Sequence, residues 1–388
     1  MSKKVVFVVI IVFLYAIFLV FLIHAIPHIY SIRKADVRIK QTTEVKSDFQ
    51  TTTHIPNNTE DLPTQIFQKQ LCYPTFGKIA IVTVFTAGKY VENVVNNAVQ
   101  SVRCYAKLRG YDLYQIQEEI DGNFTATSGW IVPKQCLQKD IVLTKKRHCF
   151  IAYLLYHYDY IVHLDADTGV VNPNHCFEEY IRPGIDIFLL ERVHSGEIQA
   201  GHYIVKNTNY AHNFLMACFK RMIKPKTTDN KEFVLEFSRR VAGVMDFASC
   251  QRRYPIYFNS VLYFSFVRCI KEALNGRMLF NKFNVYRRAH GFVRDAWTTG
   301  FIWSSKDFLL HGLKGKDDIM YARKLTSEDC SNDRAWYVPV KTHLFANLTK
   351  MKALWEKADN EFKYKNLGVM QSDISKCWPH CSVDHVKK

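Results

Sequence analysis

Asp165 and Asp167, separated only by Ala166, close a short apolar run from Tyr160 to Leu164. Two carboxylates at i and i+2 leaving a strand can point to the same side. At the carboxyl end of a strand they lie where open α/β sheets bind their ligands. Such a pair suits a hard divalent cation that keeps open positions for phosphate oxygens. The triplet alone is weak, because roughly one Asp-x-Asp arises by chance in a chain with this many acids. Its context adds weight: a buried-strand pattern precedes it, and Gly169 and Pro173 punctuate the segment after it.

Three further groups could join the pair. Lys145, Lys146 and Arg147 open a helical pattern just before the acidic strand. That first turn could face a diphosphate, although a solvated basic turn explains it equally well. His311 comes after an apolar stretch, and Lys314 three residues later. An imidazole at a strand end can complete a carboxylate-bound metal site, and the lysine could hold a leaving phosphate. A lone histidine is more often a satisfied core or surface residue. Ala200-Gly201-His202 reads as a loop or tight turn between strands, where glycine permits close approach of a ligand to the backbone. The chain contains no Gly-x-Ser-x-Gly, Walker loop or GxGxxG. Their absence removes serine-hydrolase, P-loop and simple dinucleotide-binding readings.

The elements that must position these residues form an α/β pattern. Residues 79–85 make a continuous apolar run, a first buried strand closed by Thr86-Ala87-Gly88. Helical spacing over 91–108 ends at Gly110 as a C-cap, and 111–116 reads as the next strand. Strand, helix and strand in succession predict a parallel sheet. A second helix is expected over 144–157, before the acidic strand. Further strands are expected at 186–190 and 203–205, a helix at 210–222, a strand and turn at 307–312, and a terminal helix at 349–364.

Around this part the chain carries other signals. Residues 5–26 are almost unbroken apolar sequence, long enough to cross a bilayer and lacking an evident cleavage site, so an uncleaved signal-anchor is expected after a tail of residues 1–4. Lys3 and Lys4 precede the span, whereas Arg33, Lys34, Arg38 and Lys40 lie after it, which taken alone places the large part in the cytosol. Three Asn-x-Thr sequons, at Asn57, Asn123 and Asn347, argue the other way, although about two would arise by chance. Eleven cysteines, without paired zinc-type spacing, also favour an oxidising lumen, and the odd count leaves at least one thiol free or intermolecular. Residues 27–76 are polar and read as a stem. The net charge of +16 is spread over separate short clusters, and no nucleic-acid module is recognisable.

The order of these pieces resembles the nucleotide-sugar glycosyltransferases of the GT-A fold. In particular it is similar to a nematode glycosyltransferase-like family related to yeast-type α-galactosyl and α-mannosyl transferases. The likeness spans 77–345 and rests on Ile79-Ala-Ile-Val-Thr-Val-Phe85, Tyr105-Ala-Lys-Leu-Arg-Gly-Tyr-Asp112 and Tyr158-Asp-Tyr-Ile-Val-His-Leu-Asp-Ala-Asp167. It also rests on Gln199-Ala-Gly-His-Tyr-Ile-Val-Lys-Asn207, Arg294-Asp-Ala-Trp297 and Phe308-Leu-Leu-His-Gly312. The resemblance implies a Rossmann-type mixed sheet flanked by helices, with a nucleotide-binding half (77–175), an acceptor half (176–345) and a C-terminal extension (346–388). It implies Mn²⁺ or Mg²⁺ held by Asp165, Asp167 and His311, with the two aspartates at the catalytic centre. The donor, a UDP- or GDP-hexose, would meet Thr83, Lys146, Arg147, Asp165, Ala200, Gly201 and Lys314. Transfer to a glycan or glycoprotein acceptor would retain anomeric configuration. A type II, single-pass Golgi or ER membrane protein with a lumenal catalytic part completes the expectation.

One departure stands out. Relatives carry an Asp-Asn-Gly segment where this chain reads Phe258-Asn259-Ser260, so an acceptor-side acid is replaced by Phe258. A membrane-anchored descendant that binds a glycan or nucleotide sugar without turnover is therefore the alternative. A haloacid-dehalogenase-type phosphatase fits less well. Its Asp-x-Asp-x-Thr motif would put threonine at Gly169, and would open the domain rather than come after two strand–helix units.

Overall fold

A computed structural model describes residues 72, 75–88, 94–138, 141–223, 227–241, 247–254, 259–274, 279–314, 325, 326, 328, 330, 344–365 and 374–379. The expected signal-anchor, nearly all of the stem, Asn57 and Phe258 lie outside these residues. Among the described residues no helix is long and apolar enough to cross a membrane. All of them fall within the unit Asp61–Lys388.

The first strand, β1 (Ile79–Thr86), is buried along nearly its whole length, as a continuous apolar run requires. Its side chains alternate between two cores: Ala80, Val82 and Val84 face one, and Ile79 and Ile81 the other. Helix α1 (Asn96–Arg109) covers the second core through Ala98, Val102 and Tyr105, and it ends at Gly110 in the left-handed conformation (φ 75°). The chain returns as β2 (Asp112–Glu118), pairs with the short β3 (Phe124–Ala126), and crosses to the other face as α2 (Leu143–Leu154). A 3₁₀ turn over Leu155–His157 comes next, so the helical stretch expected to 157 tightens in its last turn. Strand β4 (Tyr160–Leu164) then runs parallel to β1, on the side opposite β2.

The sheet becomes mixed beyond β4. After β5 (Thr168–Val170) come β6 (Ile187–Glu191) and β7 (Ile198–Lys206), with β7 antiparallel to both β4 and β6. Helices α3 (Asn209–Met222), α4 (Asp229–Arg240), α5 (Phe247–Gln251) and α6 (Ser260–Leu274) precede the hairpin β8 (Leu279–Phe280) and β9 (Phe283–Tyr286). Eight strands align in the order β3-β2-β1-β4-β7-β6-β9-β8. The two halves expected at 77–175 and 176–345 therefore share one sheet. A second sheet, in the order β10-β11-β5, joins β10 (Val293–Asp295) and β11 (Leu309–His311) to the strand just after the acidic pair. The α/β class with a mixed sheet flanked by helices is thus observed.

Residues 200–202 differ from the sequence expectation. They form the middle of β7 rather than a turn: the strand is buried along Ile198–Val205 and paired on both edges over 203–205, while 199–202 fall where its register with β6 shifts. Gln199 and His202 conceal it by their polarity, yet both are buried, and the His202 Nδ1 hydrogen bond to Gln199 Oε1 is 2.9 Å. The C-terminal helices α7 (Leu348–Lys365) and α8 (Ile374–Cys377) pack on the domain through Met351, Trp355, Ile374 and Trp378, with Val193.

Four disulfides brace the described residues: Cys72–Cys176, Cys104–Cys330, Cys136–Cys149 and Cys250–Cys269. Cys218 is a free, buried thiol. The Cys104–Cys330 bond closes a separation of 226 residues and so constrains a large unfolded loop. Replacing both of its cysteines by serine is expected to cost about 2–5 kcal/mol. Urea unfolding of the wild type and the double variant measures this, and equal midpoints would contradict it.

Candidate functional site

The site grows from the order of the central strands. From β1 the chain goes to β2 on one side and then to β4 on the other, with α1 and α2 on opposite faces. The carboxyl ends of β1 and β4 therefore diverge at a topological switch point, where a crevice opens. A cleft of about 590 Å³ lies there. It is lined by Val84 to Thr86 from β1, by Thr144 and Arg147 from the start of α2, by Asp165 to Asp167, and by His311 and Lys314.

The small sheet brings His311 to the acidic pair. β11 lies antiparallel to β5 with His311 opposite Thr168, and parallel to β10 with His311 opposite Asp295. Gly312 and Leu313 donate their backbone N–H groups to the Asp167 carbonyl, at 3.1 and 2.9 Å, which fixes the segment after β11 against the segment after β4. His311 Nε2 then lies 3.4 Å from Asp167 Oδ1 and 3.8 Å from Asp165 Oδ2. Lys314 Nζ pairs with Asp167 Oδ2 at 3.0 Å and remains about half exposed at the cleft. Gly312 has φ 91°, and a Cβ there would lie 2.3 Å from the Trp297 ring.

Asp165 is held from two sides. Arg147, buried, binds Asp165 Oδ1 with one nitrogen and Asp229 Oδ2 with another at 2.5 Å. Behind the carboxylate, a Cβ on Gly201 would lie 2.1 Å from Asp165 Oδ2. Glycine at 201 thus leaves the space that Asp165 occupies. Gly201→Ala is expected to turn Asp165 away from His311 and weaken Mn²⁺ binding at least about 10-fold while the sheet stays intact, comparable to losing a partner that orients a metal ligand. A Mn²⁺ titration beside circular dichroism checks this, and unchanged affinity would contradict it.

The electrostatics come from burial and proximity. Burial opposes a charge on His311, but hydrogen bonds to Asp167 and Asp295 outweigh it and raise the imidazole to about 9. Burial would raise the Asp167 carboxyl, yet His311 and Lys314 hold it well below the usual carboxylate range. Asp295 is held down in the same way, against its burial, by His194, His311 and Arg192. Burial and the charge of His311 push His202 well below an ordinary histidine. Burial also disfavours the Arg147 cation, but Asp165 and Asp229 more than compensate. A metal-free site at neutral pH therefore carries a proton on His311, and a cation would displace it.

Two carboxylates and two imidazoles meet at the site. Asp167 Oδ2 is buried and meets the Lys314 ammonium at 3.0 Å. Ligand atoms of Asp165, His202 and His311 all lie within 4.8 Å of one another. His202 is the less available of the two histidines, because its Nε2 already meets the Thr168 hydroxyl at 2.6 Å and its Nδ1 meets Gln199. Asp165, Asp167 and His311 could hold a hard or borderline cation such as Mn²⁺ or Mg²⁺ through two carboxylates and one imidazole.

Of the residues singled out in the sequence, Asp165, Asp167, Arg147, His311 and Lys314 come together on the cleft. Thr83 is buried within β1, its hydroxyl without a hydrogen-bond partner, and does not line the cleft. Lys146 turns to Glu118 at 3.0 Å, and it is Glu118 that reaches the cleft. Ala200 is fully buried, with its N–H donated to Asn230 Oδ1 at 2.8 Å, so Ala200 and Gly201 stand behind Asp165 rather than on the cleft wall. Asn123 and Asn347 are exposed.

Sequence reasoning assigned no role to His202, Asp229 or Asp295. Asp295 sits in the Arg294-Asp-Ala-Trp297 stretch, so position was available but no chemistry pointed to it. Asp229 comes directly after Thr228, the N-cap of α4, where an acid is explained by helix capping alone.

A family model described as "Protein of unknown function, DUF273" matches residues 102–327. No curated protein matches the chain. Among solved structures the chain is similar to a glycosyltransferase involved in the glycosylation of the major capsid of PBCV-1, at 14% identity and a TM-score of 0.35, over 61% of this chain and 95% of that one. It is also similar to the catalytic domain of Drosophila beta1,4galactosyltransferase 7, crystallised with xylobiose, at 13% identity and a TM-score of 0.24, over 40% of this chain and 60% of that one. Scores this low leave the fold and the site to stand on their own topology and geometry.

Proposed function

The chain belongs to the family described as "Protein of unknown function, DUF273", and for this member we propose a nucleotide-sugar-dependent hexosyltransferase acting on a glycan or glycoprotein. The observation that carries the reading is the convergence of Asp165, Asp167 and His311 at a switch-point cleft of about 590 Å³. A cleft of that volume is in the range that encloses a ligand of nucleotide size.

Asp165, Asp167 and His311 hold Mn²⁺ or Mg²⁺. The bound ion supplies Lewis-acid stabilisation of the leaving nucleoside diphosphate. Arg147 fixes Asp165 Oδ1 and leaves Oδ2 facing His311. Lys314 offers its exposed ammonium to the phosphates, exchanging its ion pair with Asp167 for charge-assisted hydrogen bonds. Val84 to Thr86, at the end of β1, flank the nucleoside. Retention of anomeric configuration is proposed from the resemblance.

A signal-anchor at residues 5–26 and a lumenal catalytic part, in Golgi or ER, complete the reading. Four disulfides and two exposed sequons support an oxidising lumen. The test is a screen of UDP- and GDP-hexoses with the full-length chain in detergent, monitoring release of UDP or GDP in Mn²⁺. Release from at least one donor is expected. Binding of a donor with no release across an acceptor panel would make the chain a binding protein instead.

A further inference from the structure

We infer that Asp295 is a positioning residue for the metal site, setting the orientation and tautomer of His311. The inference rests on the proposed metal role of His311 and extends it to a residue that does not touch the cleft. Asp295 is almost fully buried and receives three basic groups. His311 Nδ1 lies 2.8 Å from Oδ1, His194 Nδ1 3.3 Å from Oδ2, and the Arg192 guanidinium 3.4 and 3.5 Å from the two oxygens.

The backbone puts Asp295 in place before any side-chain contact is considered. It pairs directly with His311 across the parallel strands β10 and β11, so both side chains leave the small sheet on one side. A carboxylate can only accept from the imidazole, so Asp295 requires a proton on Nδ1. Nε2 is thereby left for Asp165 and Asp167, which it faces at 3.8 and 3.4 Å. Carboxylate–histidine–metal chains of this form fix the ring and raise the basicity of the ligating nitrogen. Arg192 and His194 contact the carboxylate in turn and help to orient it.

Asparagine at 295 would keep the volume but could donate through its amide. It would then admit the Nε2–H tautomer, which aims a proton rather than a lone pair at a cation. The test uses the full-length chain in detergent and titrates Mn²⁺ by electron paramagnetic resonance. Asp295→Asn is expected to weaken Mn²⁺ binding roughly 10- to 100-fold and to change the signal of the bound ion. His194→Gln, which loosens Asp295 but spares its bond to His311, is expected to weaken Mn²⁺ binding by no more than about 3-fold. Wild-type affinity in Asp295→Asn, or an equal loss in His194→Gln, would overturn the positioning role.

Asp167→Asn serves as the reference variant. If it binds Mn²⁺ normally, the proposed metal site fails independently of Asp295. Should Asp295→Asn not fold, the ¹⁵N spectrum of wild-type His311 with Zn²⁺ as a diamagnetic stand-in decides. A proton on Nδ1 is expected there, and a proton on Nε2 would overturn the inference.

Discussion

Asp167→Asn is expected to lower Mn²⁺-dependent release of nucleoside diphosphate by more than about 100-fold. The side chain keeps its size, and the backbone carbonyl still accepts from Gly312 and Leu313, so the strand ends stay joined. What is lost is one anionic ligand, together with the charge that pairs with Lys314 and faces His311. Metal stabilisation of a leaving group contributes several kcal/mol, and about 2.7 kcal/mol already corresponds to a factor of 100. Nucleoside diphosphate release by wild type and variant, each over a Mn²⁺ series, measures the effect. A variant within a few-fold of wild type would place the metal elsewhere.

Arg147→Met is expected to destabilise the fold by about 3–5 kcal/mol, because it strands two carboxylates around a buried position. Arg147 is the common partner of Asp165 and Asp229 and joins the start of α2 to the end of β4 and the start of α4. For a domain of this size such a loss lowers the melting temperature by roughly 10 °C. Arg147→Met/Asp229→Asn should recover part of it, since one of the two unpaired charges is then removed. Thermal unfolding of the three proteins at one pH tests this. A double variant no more stable than Arg147→Met would mean that Asp229 is not a significant partner.

The strands and helices that bear the site were legible in the sequence because their signals are local. The apolar runs of β1 and β4, and the spacing of α1 before Gly110, depend only on neighbours in the chain. The acidic pair was legible for the same reason, since a strand in front of it sets its direction. Of β7 only 203–205 was expected; its first half was hidden because burial on both faces removed alternation and its polar Gln199 and His202 satisfy each other. β11 was expected within 307–312, but the three-stranded sheet was hidden because β5 and β10 are three residues each and gain their identity only from pairing.

The same distinction separates the site residues. Asp165 and Asp167 announce themselves by spacing, whereas His311 needed a strand more than 140 residues later to reach them. Gly201 reads as a turn glycine, and only the fold reveals that its missing Cβ makes room for Asp165 Oδ2. Asp295 and Asp229 hold other residues in place rather than face a ligand, and no short pattern marks that task.

The cleft at the ends of β1 and β4 is proposed to bind a nucleoside diphosphate through a cation on Asp165, Asp167 and His311. Calorimetric titration of the full-length chain with UDP and with GDP, in Mn²⁺ and again in EDTA, is the test. At least one nucleotide is predicted to bind ten-fold or more tightly with Mn²⁺, an advantage lost in Asp167→Asn. Equal affinity with and without the metal, or an advantage that survives Asp167→Asn, would contradict the claim.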